Sequence, residues 1–199
     1  MASPRLIALA VTFIGISTVR SSSTEAHAPF KINCFIWRSC KVTQYHRLCY
    51  ASLSSHAKSI GKDQIKLAIS AAEVSESRIR IVATHVKSVL ASSNSSKVAL
   101  KDCIETLSDA ESLTKQSATE LKALKNAKGT NVAWHVKNAQ TWLSAVITNE
   151  ETCMDGLTND GRGLSSTNTS ATKVVIRKVR KIEQFSSNAL ALTNSLVCR

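Results

Sequence analysis

The sequence is poor in the residues on which sheet-rich folds depend. Its 199 residues include only six glycines and two prolines, and aromatic residues make up 5% of the chain. No stretch alternates apolar and polar residues as a half-buried strand does. A chain of this length is enough for one domain with a single core. These absences predict an all-α fold.

Catalytic and metal-binding motifs are missing as well. The chain contains no C-x-x-C, no G-x-S-x-G and no phosphate-binding loop. The histidines show neither the spacing of metal ligands nor an i, i+4 pair on one helical face. These histidines are His27, His46, His56, His85 and His135. We therefore expect surface or capping roles for them, and a protein that is not an enzyme and has no metal and no cofactor.

The N-terminus has the pattern of a secretory signal peptide. A short basic start precedes an apolar run, Leu6 to Ile16, that is too short to span a bilayer. We predict a leader over residues 1–28, with the cut between 20 and 28. Acceptor sequons for N-glycosylation at Asn94 and Asn168 agree with secretion. The mature protein is expected in the extracellular space and cell wall, with the vacuole as the alternative destination.

Four amphipathic segments carry apolar residues at intervals of three and four, which predicts helices with one apolar seam each. The seams run from Ile65 to Leu90, from Leu100 to Leu124, from Val132 to Cys153 and from Val175 to Leu196. Between the second and third segments, Gly129 and Thr130 are predicted to end one helix and start the next. The polar stretch from Gly156 to Ser170 is predicted to be a loop. Four helices with short connections favour an up-down-up-down bundle over residues 61–199.

A separate helical hairpin is predicted over residues 29–60. Cys40 and Cys49 lie nine positions apart, and a helix ending near Cys40, a turn and a second helix would bring their sulfurs together. Thr43 is placed to cap the N-terminus of that second helix, which would continue through Leu53 and His56.

The second and third bundle segments carry one cysteine each, Cys103 and Cys153, at opposite ends of the segment pair. Antiparallel packing would therefore place the two side by side. In an oxidising compartment we expect a disulfide between them, and the alternative is a pair of buried free thiols.

The charge balance is strongly basic, with a formal net charge of +12. Lys173, Arg177, Lys178, Arg180 and Lys181 are interleaved with aliphatic residues in the fourth bundle segment. Such a run is typical of an ordinary solvated face, and the alternative is docking to an anionic polymer or a membrane surface.

Several blocks of residues resemble the plant pectin methylesterase inhibitor and invertase inhibitor domain over about residues 33–197. The blocks are Cys40-x8-Cys49 with Thr43 and Tyr45, then Tyr50-Ala51-Ser52-Leu53, Ala99-Leu100-Lys101-Asp102-Cys103 with Glu105, Thr141-Trp142-Leu143-Ser144-Ala145 and Thr152-Cys153-Met154-Asp155-Gly156-Leu157. The resemblance implies a four-helix bundle with an N-terminal hairpin, disulfides Cys40–Cys49 and Cys103–Cys153, and one-to-one inhibition of a larger carbohydrate-active enzyme.

Within that family, the blocks around Trp142 and Cys153 look like the methylesterase-inhibitor branch. Invertase inhibitors often carry Pro-Lys-Phe between the second and third bundle helices, and that triplet is missing from residues 125–130. The resemblance therefore implies a secreted inhibitor that covers the substrate cleft of pectin methylesterase. The alternatives are an invertase inhibitor and a non-inhibitory cationic module that binds pectin weakly. No nucleic acid or membrane partner is expected.

The resemblance also implies which residues contact the enzyme. They fall on Glu105, Asp109, Gln140, Thr152 and Asp155, although the family commonly has Asn where Gln140 stands. Glu105 and Asp109 are one helical turn apart and can accept hydrogen bonds together.

Two further cysteines, Cys34 and Cys198, depart from the family pattern. They could pair with each other, remain free or link two chains.

Overall fold

The computed structural model describes residues 27–92, 97–158 and 169–197, and these are helical apart from short turns. The helices are α1 (His27–Cys40), α2 (His46–Leu53), α3 (Ala57–Ile60), α4 (Gln64–Ser92), α5 (Lys97–Ala123), α6 (Thr130–Thr158) and α7 (Ser170–Asn194), with one 3₁₀ turn over Ser54–His56. Residues 1–26 of the predicted leader, Asn94, Asn168 and Cys198 lie outside the described residues. Within the described part, no helix is both long and apolar enough to cross a membrane.

Helices α4 to α7 form an up-down-up-down four-helix bundle, as predicted. Helix α4 packs against α5 and α7, and α6 packs against the same two helices. Consequently α5 and α7 occupy diagonally opposite corners. The 29 residues of α6 extend about 43 Å, so α5 and α6 together form a long, continuous outer surface.

Most residues of the predicted seams form the core, whereas Trp142 is half-buried and Val132 is exposed. Residues such as Leu100, Leu107, Leu143 and Val179 are at most 1% exposed. Val132 is 40% exposed, so its assignment to the core was wrong. It lies in the first turn of α6, beyond the end of α5, and lines an open groove with Leu124, Val136 and Leu196 instead of meeting a facing helix.

The predicted helix ends needed three corrections. Thr43 does not cap α2: its hydroxyl donates to the carbonyl oxygen of Cys40 over 2.7 Å and so closes the turn after α1. Gly129, with φ of 58°, stands directly before α6 and is not the cap of α5, which ends at Ala123 and continues as tight turns. Gly156 lies inside α6, because that helix extends to Thr158.

Side-chain caps start two of the bundle helices. Asp63 Oδ1 accepts hydrogen bonds from the backbone N–H groups of Ile65 and Lys66, at 2.8 and 3.2 Å, in front of α4. The hydroxyl of Thr169 accepts from the backbone N–H of Thr172 over 3.1 Å at the start of α7. Both satisfy donors that a helix N-terminus would otherwise leave unpaired.

The N-terminal hairpin is fastened to the bundle by Asn188 of α7. Its Nδ2 donates to the carbonyl oxygen of Tyr45 over 3.1 Å, and its Oδ1 accepts from the backbone N–H of Tyr45 over 3.2 Å. The side chain therefore holds the turn between α1 and α2, and the Cys40–Cys49 disulfide closes the same turn.

Replacing Asn188 with Ala should lower the free energy of unfolding by about 2 kcal/mol, because Asn188 is only 3% exposed and both of its hydrogen bonds to Tyr45 are lost. The Tyr45 N–H is left without this partner, while the Tyr45 carbonyl keeps its bond from the Cys49 N–H. Urea unfolding measures this loss. Asn194, which is exposed near the end of α7, provides the matched control, and its replacement should change stability by less than about 0.5 kcal/mol. Equal effects of the two substitutions would contradict the role of Asn188 as a clamp.

Candidate functional site

The candidate site is the outer surface of α5 and α6 at the end where a disulfide joins them. The Cα atoms of Cys103 and Cys153 are 4.3 Å apart, and both residues are buried. The structure thus contains the two disulfides that the resemblance implies. Because this bridge fixes α5 against α6, residues next to Cys103 and Cys153 in sequence are also neighbours across the two helices.

Two further contacts set the register between α5 and α6. The hydroxyl of Ser117 donates to the carbonyl oxygen of Ala139 over 2.9 Å, and Glu120 pairs with the ring of His135. Together with the disulfide they hold the helix pair toward both of its ends. The surface formed by α5 and α6 is therefore rigid.

Acidic side chains occupy the part of α5 near the disulfide. Asp102, Glu105 and Asp109 are all exposed. Asp109 precedes Glu120 by eleven residues and Asp102 precedes it by eighteen, which are close to three and five whole turns. Both therefore lie on the side of α5 that faces α6, as Glu120 does through its contact with His135.

Three of the five predicted contact residues lie close to the disulfide. Glu105 follows Cys103 by two residues, while Thr152 and Asp155 flank Cys153, and all three are exposed. Asp109 lies one turn further along α5. Together these residues form an acidic site at the disulfide-linked end of the pair.

Gln140 lies apart from these four residues along α6. It precedes Cys153 by thirteen residues, or about 20 Å along the helix. The structure therefore separates Gln140 from the other four predicted contact residues.

A ladder of hydroxyls crosses the outer surface of α6, and the sequence reasoning did not single it out. The hydroxyl groups of Ser144, Thr148 and Thr152 each donate to the carbonyl oxygen four residues earlier, at 2.9, 3.3 and 2.7 Å. With their protons held by the helix backbone, their oxygens present lone pairs outward. Combined with the carboxylates of α5, the surface accepts hydrogen bonds and suits a partner rich in N–H donors.

A buried carboxyl group supports the bundle behind this surface. Glu150 of α6 is fully buried, and its Oε1 accepts a hydrogen bond from the hydroxyl of Ser186 in α7 over 2.8 Å. The Ser186 hydroxyl also lies 2.8 Å from that of Ser75 in α4. Glu150 Oε2 has no hydrogen-bond partner among the residues that the structure describes. Desolvation by burial raises the pKa of Glu150 well above its usual range. The hydrogen bond from Ser186 lowers this pKa in part, and the negative charges of Glu183 and Glu151 raise it further.

This burial predicts that the protein is more stable at acidic pH. The folded state holds the Glu150 proton more tightly than the unfolded state, so the free energy of unfolding falls as pH rises above the usual Glu range, by at most about 1.4 kcal/mol per pH unit. Glu183, whose pKa burial also raises, acts in the same direction. Replacing Glu150 with Gln should remove most of this slope and make the variant more stable than the wild type at pH 7.

Urea unfolding between pH 4 and 8 tests this. Replacement of the partly exposed Glu111 with Gln is the control, and its pH profile should follow that of the wild type. A Glu150→Gln profile parallel to the wild-type profile would show that the carboxyl does not titrate as its burial requires.

The features described so far define a class of protein. The described residues form a disulfide-braced bundle in which no cluster of His, Cys, Asp and Glu could hold a metal ion. The exposed polar surface of α5 and α6 is braced by a disulfide and by two contacts between the helices, as suits a protein that acts by binding another protein.

The chain belongs to the plant invertase/pectin methylesterase inhibitor family, whose model matches residues 35–192. Family membership places it among enzyme inhibitors and not among catalysts. It is 32% identical over 196 residues to the "21 kDa protein" of Daucus carota, with 95% of each chain covered. It is 34% identical over 197 residues to "Pectinesterase inhibitor 11" of Arabidopsis thaliana, with 96% of this chain and 92% of the relative covered.

Solved structures share the fold. A pectin methylesterase inhibitor from Arabidopsis thaliana matches with a TM-score of 0.54 at 17% identity, covering 82% of this chain and 97% of that one. A mutant form of a pectin methylesterase inhibitor from Arabidopsis matches with a TM-score of 0.57 at 17% identity, covering 78% and 92%. At this identity the likeness concerns the fold alone.

Proposed function

We propose that the protein inhibits pectin methylesterase by placing the outer surface of α5 and α6 over the enzyme's substrate cleft in a one-to-one complex. The observation that carries this proposal is the grouping of Glu105, Asp109, Thr152 and Asp155 on a helix pair that the Cys103–Cys153 disulfide holds rigid. A preorganised surface loses little conformational entropy on binding. Its carboxylate and hydroxyl oxygens can take hydrogen bonds from donors in a polar cleft.

Pectin methylesterase is proposed over invertase for two reasons. The relatives named pectinesterase inhibitors include one at 34% identity over nearly the whole chain. In addition, the connection between α5 and α6 reads Lys125-Asn126-Ala127-Lys128-Gly129 and lacks the Pro-Lys-Phe triplet expected of the invertase branch. We further propose that the protein is secreted, which agrees with its two disulfides, since such bonds persist in oxidising compartments.

An inhibition titration tests this proposal. Purified protein is titrated against a plant pectin methylesterase and, in parallel, against a cell-wall and a vacuolar invertase. We expect the esterase activity to fall to zero at one equivalent of inhibitor and both invertases to keep their activity. Full esterase activity at micromolar inhibitor would reject the proposal, and loss of invertase activity alone would assign the protein to the other branch.

A further inference from the structure

The outer face of α7 carries a row of cations. Lys173, Arg177 and Arg180 are exposed and spaced by four and three residues, so they follow one stripe of the helix, and exposed Lys181 stands beside its end. From Lys173 to Lys181 the row extends about 12 Å. None of these four side chains forms an ion pair within the described residues.

This row is not neutralised by its own helix. The one acidic residue of α7 is Glu183, which lies on the flank facing α6, where its carboxyl feels the charge of Glu151. Arg180 is close enough to Glu183 to oppose the rise of that carboxyl's pKa.

Two shallow grooves follow the row. The first, of about 480 Å³, is lined by Lys173, Arg177 and Arg180 together with Ser170 and Ile176. The second, of about 570 Å³, lies between α7 and the N-terminal hairpin and brings His46 and Arg47 beside Lys181. Asn188 holds Tyr45 against α7. Arg47, two residues after Tyr45, is therefore held in a fixed position relative to the cations of α7.

An exposed aromatic ring stands next to the second groove. Trp37 is 41% exposed, and its ring meets that of His46 edge-on with centroids 6.4 Å apart. Tyr50 supports the indole from another side, with centroids 5.3 Å apart. Cationic side chains beside a fixed, amphipathic aromatic surface suit a ligand that combines negative charge with apolar ring faces.

We propose that this surface, formed by the outer face of α7 and Arg47 of the hairpin, binds a linear polymer of uronic acids, namely de-esterified pectin. A polyuronate carries a carboxylate on each sugar ring and so offers regularly spaced charges to a row of cations. The choice rests on the proposed function, because hydrolysis of pectin methyl esters converts neutral ester groups into such carboxylates. The inhibitor would then be held on the product of the enzyme it blocks.

The two binding surfaces centre on different helices and carry opposite charges, although α6 of the first packs against α7. Helices α5 and α7 lie at diagonal corners of the bundle and do not pack against each other. The enzyme-binding surface presents carboxylates such as Glu105 and Asp109, which would repel a polyuronate, whereas α7 presents cations. One molecule can therefore bind the polymer and the esterase at the same time.

The test measures retention of the whole protein on immobilised, fully de-esterified pectin as salt is raised, without any esterase present. Replacing Lys173, Arg177, Arg180 and Lys181 together with Gln should weaken binding at least tenfold. Replacing four exposed lysines elsewhere, Lys58, Lys62, Lys66 and Lys87, with Gln removes the same charge and should weaken binding less than threefold. Fully methyl-esterified pectin should not retain the wild type.

Three results would overturn the proposal. The first is equal loss in the two quadruple variants, which would mean that only net charge matters. The second is equal retention on esterified pectin. The third is equal binding to DNA or to anionic phospholipid vesicles of matched charge, which would remove the preference for uronates. The α7 variant should still inhibit the esterase as the wild type does, so that failure of polymer binding and failure of inhibition are read separately.

Discussion

Removing the Cys103–Cys153 disulfide by replacing both residues with Ala should lower the free energy of unfolding by about 4 kcal/mol. The bond closes a loop with a sequence separation of 50, and in the chain-entropy model a loop of that size restricts the unfolded chain by this amount. Both cysteines are buried in the core, so truncation to Ala also removes packing. This is the largest stability effect we expect from any single feature of the bundle.

The second disulfide supplies an internal comparison. Cys40–Cys49 has a sequence separation of only 9, so its removal should lower stability by about 2 to 3 kcal/mol. Guanidinium unfolding of both double-Ala variants, under conditions that leave the remaining bond oxidised, gives the two values. A smaller loss in the free energy of unfolding for the Cys103 and Cys153 variant than for the Cys40 and Cys49 variant would contradict the bracing of α5 against α6. The proposed function requires that bracing.

Reversing the charge at Glu105 and Asp109 together should abolish most of the inhibition. Two lysines in place of two carboxylates would repel the hydrogen-bond donors of the enzyme cleft that the carboxylates attract. We expect the binding free energy to weaken by about 2 to 4 kcal/mol, which raises the inhibition constant roughly 30- to 1000-fold. Stability should change by less than about 0.5 kcal/mol, because both side chains are exposed and neither forms an ion pair within the described residues.

A matched control separates this local effect from a change in net charge. Replacing Glu73 and Glu76 of α4 with Lys alters the total charge by the same amount on another helix. These residues pair with Lys122 and Arg80 at the surface, so the control has only a modest effect on folding. Equal loss of inhibition in both variants would mean that long-range charge, and not the α5–α6 surface, governs the interaction.

The bundle itself was predictable from the sequence because its apolar residues recur with helical period. Seam residues such as Leu107, Leu143 and Val179 are buried as their spacing required. Val132 had the same spacing and is exposed, since periodicity reports which way a residue faces and not whether a neighbouring helix extends far enough to cover it.

The burial of Glu150 was not predicted, because its residue type argued against what its spacing indicates. It stands four residues after Val146 and three before Cys153, in register with the buried seam, but a carboxylate is ordinarily assumed to be solvated. Only the fold shows that Ser186 and Ser75, distant in sequence, supply a polar contact inside the core. The same spacing rule, applied without regard to residue type, would have placed Glu150 inside.

The candidate site was predictable only in part. Alignment on the cysteines placed Glu105, Thr152 and Asp155 close together because the disulfide joins their neighbours. Gln140 is thirteen residues before Cys153, and that spacing on one helix already places it about 20 Å from the disulfide. The role of Asn188 depends on a contact with Tyr45 across 143 positions of sequence, which no periodicity encodes.

The central claim is that the outer surface of α5 and α6 is the part of the molecule that touches the esterase. Photo-crosslinking tests it most directly, with a photoreactive amino acid placed at Ser112, which is exposed about two turns after Glu105 on α5, or at Ile81, which is 55% exposed on α4. We expect a crosslink to pectin methylesterase from position 112 and none from position 81. A crosslink from position 81 alone would contradict the account.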